Sequence, residues 1–193
     1  AALVLVGGHS TNVTFVGNFC GPKDLILYDA LAHNSVDQGC RLSPALSKPF
    51  PHNDAAALET ILRLQRHKFE KVLIIIEGVY SMDGDIADVP AFVALKKKYG
   101  CFLMVDEAHS ACVIGKTGGG VDEYFRLEKD DIDIKMGTLS KGLGACGGYL
   151  AGSRALIEYL RYNLPGFVFS VGISPPLAAA ALTAIRLLRE EPA

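Results

Sequence analysis

One lysine of this chain stands in a glycine-rich turn, where its amine could take part in covalent chemistry. The segment Gly137-Thr138-Leu139-Ser140-Lys141-Gly142 presents this lysine, and five glycines lie between Met136 and Tyr149. A lysine that bonds to a carbonyl carbon must hold its amine at a fixed distance from that carbon, and a close turn allows this. Taken alone, the segment favours the simpler interpretation of an exposed lysine on a flexible loop, so other residues must decide.

Further polar residues follow apolar segments that have the composition of buried strands. Those that could do chemistry are His9, His33, Ser81, Asp106, His109, Thr138 and Lys141. In sheets of parallel strands, ligands bind beyond the carboxyl ends of the strands. Each residue singly has a structural explanation, such as a helix cap for Asp106 or a buried, hydrogen-bonded histidine for His109. Helix capping alone does not readily explain seven such residues at one edge of one sheet. Together they indicate a ligand site.

The elements that must position these residues alternate along the chain. Strands are predicted at residues 2–6, 25–28, 71–77, 101–105, 132–136, 146–151 and 166–170. Helices are predicted from the turn at 7–12 to residue 19, and at 32–42, 55–66, 90–99, 153–162 and 175–190. Strands that alternate with helices of about ten or more residues predict an α/β domain with a mainly parallel sheet. The small residues Gly7 and Gly8 open a helix and so form a weak phosphate signal, because an ordinary turn explains them as well.

Composition limits the function classes. The chain has 193 residues, half of them hydrophobic, and a net charge of −2, which fits one globular domain without a nucleic-acid-binding surface. Its five cysteines include no CxxC pair, which predicts reduced thiols in a cytoplasmic protein and no metal site. The apolar start at residues 1–6 is too short for a signal peptide or a membrane span. Both ends have the character of segments cut from a larger protein.

Several motifs, in this order and over nearly the whole chain, resemble the α-oxoamine synthases. These enzymes use pyridoxal 5′-phosphate (PLP) and belong to the fold type I aminotransferase superfamily. The motifs that carry the resemblance are Asp29-x-x-x-His33-x-Ser35, His52-Asn53-Asp54, Glu77-Gly78-Val79-Tyr80-Ser81-Met82-Asp83-Gly84-Asp85, Asp106-Glu107-Ala108-His109-Ser110, Gly115-x-x-Gly118-x-Gly120, Gly137-Thr138-x-Ser140-Lys141 and Phe169-Ser170-x-x-x-Ser174-Pro175-Pro176. The resemblance implies a three-layer α/β/α fold, in which residues 1–193 form the PLP-binding large domain without an N-terminal segment or C-terminal small domain.

The resemblance also implies roles around the cofactor ring. Lys141 would bond covalently to PLP and then remove the Cα proton of the amino acid, which requires a pKa below the free-lysine value of about 10.4. Asp106 would pair with the pyridine nitrogen and keep it protonated. His109 and Ser81 would hydrogen-bond the phenolic oxygen, and His33 would stack on the ring face.

The cofactor phosphate has its own implied partners. Thr138 and the backbone at Gly8 and His9 would hold it, with Ser140 as a weaker candidate. The family usually has an aromatic or apolar residue where this chain has His9. This departure concerns phosphate affinity and substrate choice, and it leaves the reaction class unchanged.

The implied reaction is the decarboxylative condensation of a small amino acid (serine, glycine or alanine) with an acyl thioester. The thioester would be carried by coenzyme A or an acyl-carrier protein, and the protein would be a homodimer of the serine palmitoyltransferase-like branch. Two alternatives stay open at this point. One is another PLP reaction, such as transamination or aldol-type cleavage. The other is a non-catalytic or partial subunit of such an enzyme, against which the presence of Lys141 counts.

Overall fold

A computed structural model describes residues 1–191 as one sheet covered by helices. The strands are β1 (Ala2–Leu5), β2 (Leu25–Asp29), β3 (Leu46–Phe50), β4 (Val72–Glu77), β5 (Phe102–Asp106), β6 (Ile134–Thr138) and β7 (Gly148–Gly152). The helices are α1 (Gly8–Phe19), α2 (Asn34–Leu42), α3 (Ala55–Gln65), α4 (Val89–Tyr99), α5 (Val121–Phe125), α6 (Arg154–Asn163), α7 (Pro165–Val168) and α8 (Pro175–Glu190), and a 3-10 turn covers Arg66–Lys68.

The seven strands form one sheet in the order β1-β7-β6-β5-β4-β2-β3. Strands β3, β2, β4, β5 and β6 run parallel, whereas β7 is antiparallel to both of its neighbours, β6 and β1. Strand β1 therefore points in the same direction as the parallel strands. As a result, the turn after β1 and the residues that follow β2, β4, β5 and β6 all meet at one edge of the sheet.

Both faces of the sheet are buried, as the run of β-branched residues in β4 predicts. Side chains alternate along this strand, so Leu73 and Ile75 join one core cluster while Ile74 and Ile76 join the other. Helices α1, α2 and α6 cover the first face, and α3 and α4 cover the second. This is the three-layer arrangement that the resemblance implies, and the predicted α/β class with a mainly parallel sheet is confirmed.

Local sequence signals explain where several helices begin and end. The side chains of Asp54, Asp88 and Ser153 each accept a hydrogen bond from a backbone N–H in the first turn of α3, α4 and α6. Pro90 lies in the first turn of α4, and Gly100 ends that helix in the left-handed conformation with φ of 61°. None of the helices within residues 1–191 combines the length and apolar character needed to cross a lipid bilayer.

The prediction of a strand at residues 166–170 is wrong, because this segment begins with the short helix α7. Pro165 starts the helix, the N–H of Gly166 donates to Thr14 Oγ1 at 2.9 Å, and Phe167 packs against the core. These contacts with α1 take the place of pairing with a strand. Strand β3, by contrast, has no counterpart in the sequence prediction. It contains Pro49, which an edge strand tolerates because one side of its backbone has no partner.

Candidate active site

A cavity of about 200 Å³ lies at the sheet edge where the parallel strands end. Its lining residues are Gly8, His9, Asn12, His33, Ser35, Glu77, Asp106, Ala108, His109, Met136, Thr138, Ser140 and Lys141. All of the site residues expected from the sequence are therefore brought together there except Ser81. That residue is exposed in the turn after β4, which is closed by a hydrogen bond from the Gly84 N–H to the Tyr80 carbonyl. Its predicted contact with the cofactor stays a prediction.

Asp106 ends β5 and is the carboxylate that the fold buries in this cavity. It is 4% exposed, and both of its oxygens accept hydrogen bonds. The Ala108 N–H donates to Oδ1 at 2.9 Å, and Asn12 Nδ2 donates to Oδ2 at 2.7 Å. Two donors fix the orientation of this carboxylate, which suits a residue that must meet a positively charged group at a defined place.

Glu77 is a second buried carboxyl, placed beside Asp106 by the register of β4 and β5. It is 3% exposed, and its Oε1 accepts a 2.5 Å hydrogen bond from the backbone N–H of His33. Burial, and after it the charge of Asp106, raise the pKa of Glu77 to about 7. Near neutral pH Glu77 can therefore hold a proton.

Lys141 reaches the cavity from the turn that follows β6. Its Nζ lies 2.5 Å from His109 Nε2, although much of the lysine side chain is open to solvent. Burial of the amine end lowers the lysine pKa, and the charges of Asp106 and Glu77 oppose this effect. Burial and the nearby lysine also lower the pKa of His109. A neutral His109 can accept a hydrogen bond from the Lys141 amine, and the lowered pKa of His109 favours that neutral ring.

His33 precedes α2 and caps it with its own ring. Its Nδ1 accepts from the Ser35 N–H at 3.3 Å and lies 2.6 Å from Ser35 Oγ. The ring of His9 meets it edge-on, with centroids 6.1 Å apart. The backbone contact with Glu77 and the ring contact with Ser35 hold His33 at the cavity wall from two sides.

The start of α1 and the end of β6 form the part of the cavity that could receive an anion. A Cβ at Gly8 would come within 2.9 Å of Thr138 Oγ1, so only glycine leaves space between the two elements. Thr138 Oγ1 and Ser140 Oγ are 2.8 Å apart, and both residues line the same cavity as Gly8 and His9. Free backbone N–H groups at a helix N-terminus and adjacent hydroxyls are suitable donors for a phosphate group.

Three lining residues, Asn12, Ser35 and Glu77, were not identified as functional from the sequence. Ser35 and Glu77 nevertheless stand in motifs that carry the family resemblance, and Glu77 and Asn12 also have a local signal in the sequence. Glu77 is a charged residue at the end of an otherwise apolar strand, and Asn12 is a polar residue on the same helical stripe as Phe15, Val16 and Phe19. A buried polar group of this kind needs a partner, which is a reason to examine it. Within residues 1–191, the cavity included, no cluster of three His, Cys, Asp or Glu side chains could hold a metal ion.

Comparison with known proteins identifies the family of the chain. The model of the family "Aminotransferase class I and II" matches residues 1–191. A putative 8-amino-7-oxononanoate synthase of Nostoc punctiforme is 44% identical over 191 residues, which are 99% of this chain and 48% of that protein. Serine palmitoyltransferase 3 of Caenorhabditis elegans is 44% identical over 195 residues, which are 97% of this chain and 38% of that protein. The chain therefore spans less than half the length of these relatives.

Solved structures agree with the sequence comparison. Serine palmitoyltransferase of Sphingomonas wittichii has a TM-score of 0.90 and 37% identity, covering 97% of this chain and 46% of that one. A serine palmitoyltransferase structure that carries PLP has a TM-score of 0.91 and 35% identity, covering 97% of this chain and 47% of that one. The resemblance to α-oxoamine synthases that the motifs indicate is confirmed by these relatives. The chain belongs to the aminotransferase class I and II family.

Proposed function

We propose that this chain is the PLP-binding core of an acyltransferase that condenses a small amino acid with an acyl thioester and releases carbon dioxide. The observation that carries this proposal is the cavity itself, which joins a lysine amine, a buried carboxylate, a histidine ring and an anion-binding helix start. The donor set fits PLP, because Asp106 matches the pyridine nitrogen and the space kept open by Gly8 beside Thr138 matches the phosphate. When bound, PLP supplies an electron sink for a carbanion at the amino acid Cα.

The residues of this chain would hold and move protons around that group. Lys141 is the proposed site of covalent attachment and the base that accepts the Cα proton at Nζ. Its lowered pKa increases the fraction of free amine available for both roles. His109 Nε2 lies 2.5 Å from that amine, and His109 is the proposed partner of the phenolic oxygen. Asp106 would hold the pyridinium proton, and His33 would cover the ring face.

Titration with PLP tests the covalent step directly. We expect the purified chain to show the absorbance of lysine-bound PLP, and borohydride reduction followed by peptide mass spectrometry to locate the cofactor on Lys141. The Lys141→Ala variant should lose both signals. Lys116→Ala, which removes an exposed lysine elsewhere, should keep them. Labelling of other lysines in place of Lys141 would contradict the proposal.

The substrates are proposed as serine, glycine or alanine with an acyl group on coenzyme A or a carrier protein, in the serine palmitoyltransferase-like manner. Support comes from the motifs and from relatives named as serine palmitoyltransferase and 8-amino-7-oxononanoate synthase. Incubation of each amino acid with acyl-CoA should release free coenzyme A and carbon dioxide. Because the relatives are longer, this assay should be carried out both with the chain and with the longest protein that contains it. Keto-acid formation without coenzyme A release would indicate an aminotransferase instead.

We also propose that the protein acts as a homodimer in the cytoplasm. Phe169 and Val171, in the segment between α7 and α8, are 87% and 81% exposed, which is typical of apolar side chains that meet a partner. The five cysteines are free thiols, and three of them are buried, as expected in a reducing compartment. Light scattering of the PLP-bound protein tests the dimer, and a monomer that binds PLP tightly would contradict it.

A further inference from the structure

Asn12 makes two hydrogen bonds that connect residues on either side of the cavity. It lies on α1, it is 1% exposed, and its Nδ2 donates to Asp106 Oδ2 at 2.7 Å and to Ser35 Oγ at 3.0 Å. An ionised carboxylate only accepts hydrogen bonds, so the amide nitrogen, and not the oxygen, must face Asp106. Among the described residues, the buried Asn12 Oδ1 has no hydrogen-bond partner. The amide therefore bears a desolvation cost that its two donor contacts must offset.

The chain of contacts continues from Ser35 to the ring of His33. Since Ser35 Oγ accepts from Asn12, its own O–H is free to donate to His33 Nδ1, which lies 2.6 Å away. The Ser35 N–H also points at Nδ1, at 3.3 Å, and a backbone N–H can only donate. With two donors aimed at it, Nδ1 must be the unprotonated nitrogen, which leaves the proton of the neutral ring on Nε2.

We propose that Asn12 is a positioning residue that orients Asp106 and, through Ser35, holds the His33 ring as its Nε2–H tautomer. The inference rests on the proposed function, in which Asp106 meets the pyridine nitrogen and His33 covers the ring face. A single amide then sets the two groups that enclose the cofactor ring, one at its edge and one at its face. Because α1 also supplies Gly8 to the phosphate end, the placement of this helix governs three parts of the site.

The first experiment measures PLP affinity in variants of the chain. Loss of one hydrogen bond to a charged group corresponds to about a tenfold change, so Asn12→Ala should raise the PLP dissociation constant about tenfold. Ser35→Ala should weaken binding less. The double variant should lose less affinity than the product of the single changes, because both residues act in one chain of contacts. Asn18→Ala is the control, since this exposed asparagine on the same helix bonds only the Thr14 carbonyl.

The second experiment determines the tautomer of the His33 ring in protein without cofactor. In ¹⁵N-histidine-labelled protein, two-bond ¹H–¹⁵N correlations should show the Nε2–H tautomer for His33. Ser35→Ala should shift the ring toward a mixture of tautomers, and Asn12→Ala should change the same signals. A merely structural role of Asn12 would leave this pattern unchanged. If Asn12→Ala does not fold, the spectra of Ser35→Ala and of the wild type still test the proposed tautomer of His33.

The outcomes separate this inference from the proposed function. Wild-type affinity in both single variants, or an Nδ1–H ring in the wild-type protein, would overturn the role of Asn12 and leave PLP binding intact. Failure of the wild-type chain to bind PLP would instead refute the proposed function. In that case the His33 spectra would still support or refute the contacts from Asn12 to the ring.

Discussion

Replacing Glu77 with glutamine is expected to remove a pH-dependent loss of folding stability. Burial and the charge of Asp106 raise the pKa of this carboxyl from 4.5 to about 7. Between these values the unfolded chain releases the proton while the folded chain keeps it, so stability falls as pH rises. Since each pKa unit corresponds to about 1.36 kcal/mol, ionised Glu77 costs the folded chain about 3 kcal/mol once pH exceeds the folded pKa.

The Glu77→Gln variant keeps an oxygen that can accept the His33 N–H, but it cannot ionise. The difference in free energy of unfolding between the variant and the wild type should shift in favour of the variant as pH rises. From about pH 5 to about pH 8 we expect this shift to be about 2 to 3 kcal/mol. Guanidinium denaturation at both pH values measures this change. Glu158→Gln is the control, because Glu158 is exposed on α6 and should show nearly the same difference from wild type at both pH values.

The comparison between variant and wild type also removes the contribution of other titrating groups. His52 is one of these: burial opposes its protonation, but hydrogen bonds and charge from Asp29 and Asp85 raise its pKa. Its stabilising effect is present at low pH and is lost as pH rises, in both proteins alike. The reasoning is refuted if Glu77→Gln differs from the wild type by the same amount at both pH values, or if it loses stability at the higher one.

Three further predictions concern packing. In Gly8→Ala, the new Cβ would lie 2.9 Å from Thr138 Oγ1, so the affinity for PLP should fall at least about tenfold in a binding titration. Gly21→Ala is the control, because its Cβ would make only an ordinary 3.7 Å contact, and it should bind PLP normally. In Gly39→Ala, the Cβ would lie 2.6 Å from that of Val16, and the overpacking between α1 and α2 should cost about 1 to 3 kcal/mol in denaturant unfolding. Because Ile74 is fully buried, Ile74→Ala should lower the free energy of unfolding by about 2 to 5 kcal/mol in the same measurement, and Ile74→Val by only about 0.5 to 1.5 kcal/mol. Equal losses of stability in the two variants would contradict this account of the packing.

Strong local patterns made most of the fold predictable. The apolar run that forms β4 and the capped, amphipathic segments around it identify their elements without tertiary information. The short helix α5 was not predicted either, and two further failures are segments whose state depends on distant contacts. Residues 165–168 have strand-like composition, yet Thr14 and the core hold them as a helix. Strand β3 has a mixed polar sequence with Pro49, and its pairing with β2 defines it.

The candidate site was predictable to a similar degree and for the same reason. Lys141, Asp106 and His33 carry motifs whose residue types indicate chemistry, and the parallel sheet directs them to one edge. Asn12 lies outside every quoted motif, and Glu77 opens a motif in which no role was assigned to it. Their importance comes from the partners they meet, Asp106 for both and the His33 backbone for Glu77, and those residues are far away in sequence.

The sequence by itself determined the fold class, the family and the residues proposed to hold PLP, because periodicity, motifs and reactive side chains are local properties of the chain. Only the tertiary structure decided how those residues are oriented. Hydrogen bonds between α1, α2, β4 and β5, and the burial of two adjacent carboxyls, exist only after folding. The acidity of Glu77 and the tautomer proposed for His33 therefore depend on neighbours that no local stretch of sequence contains.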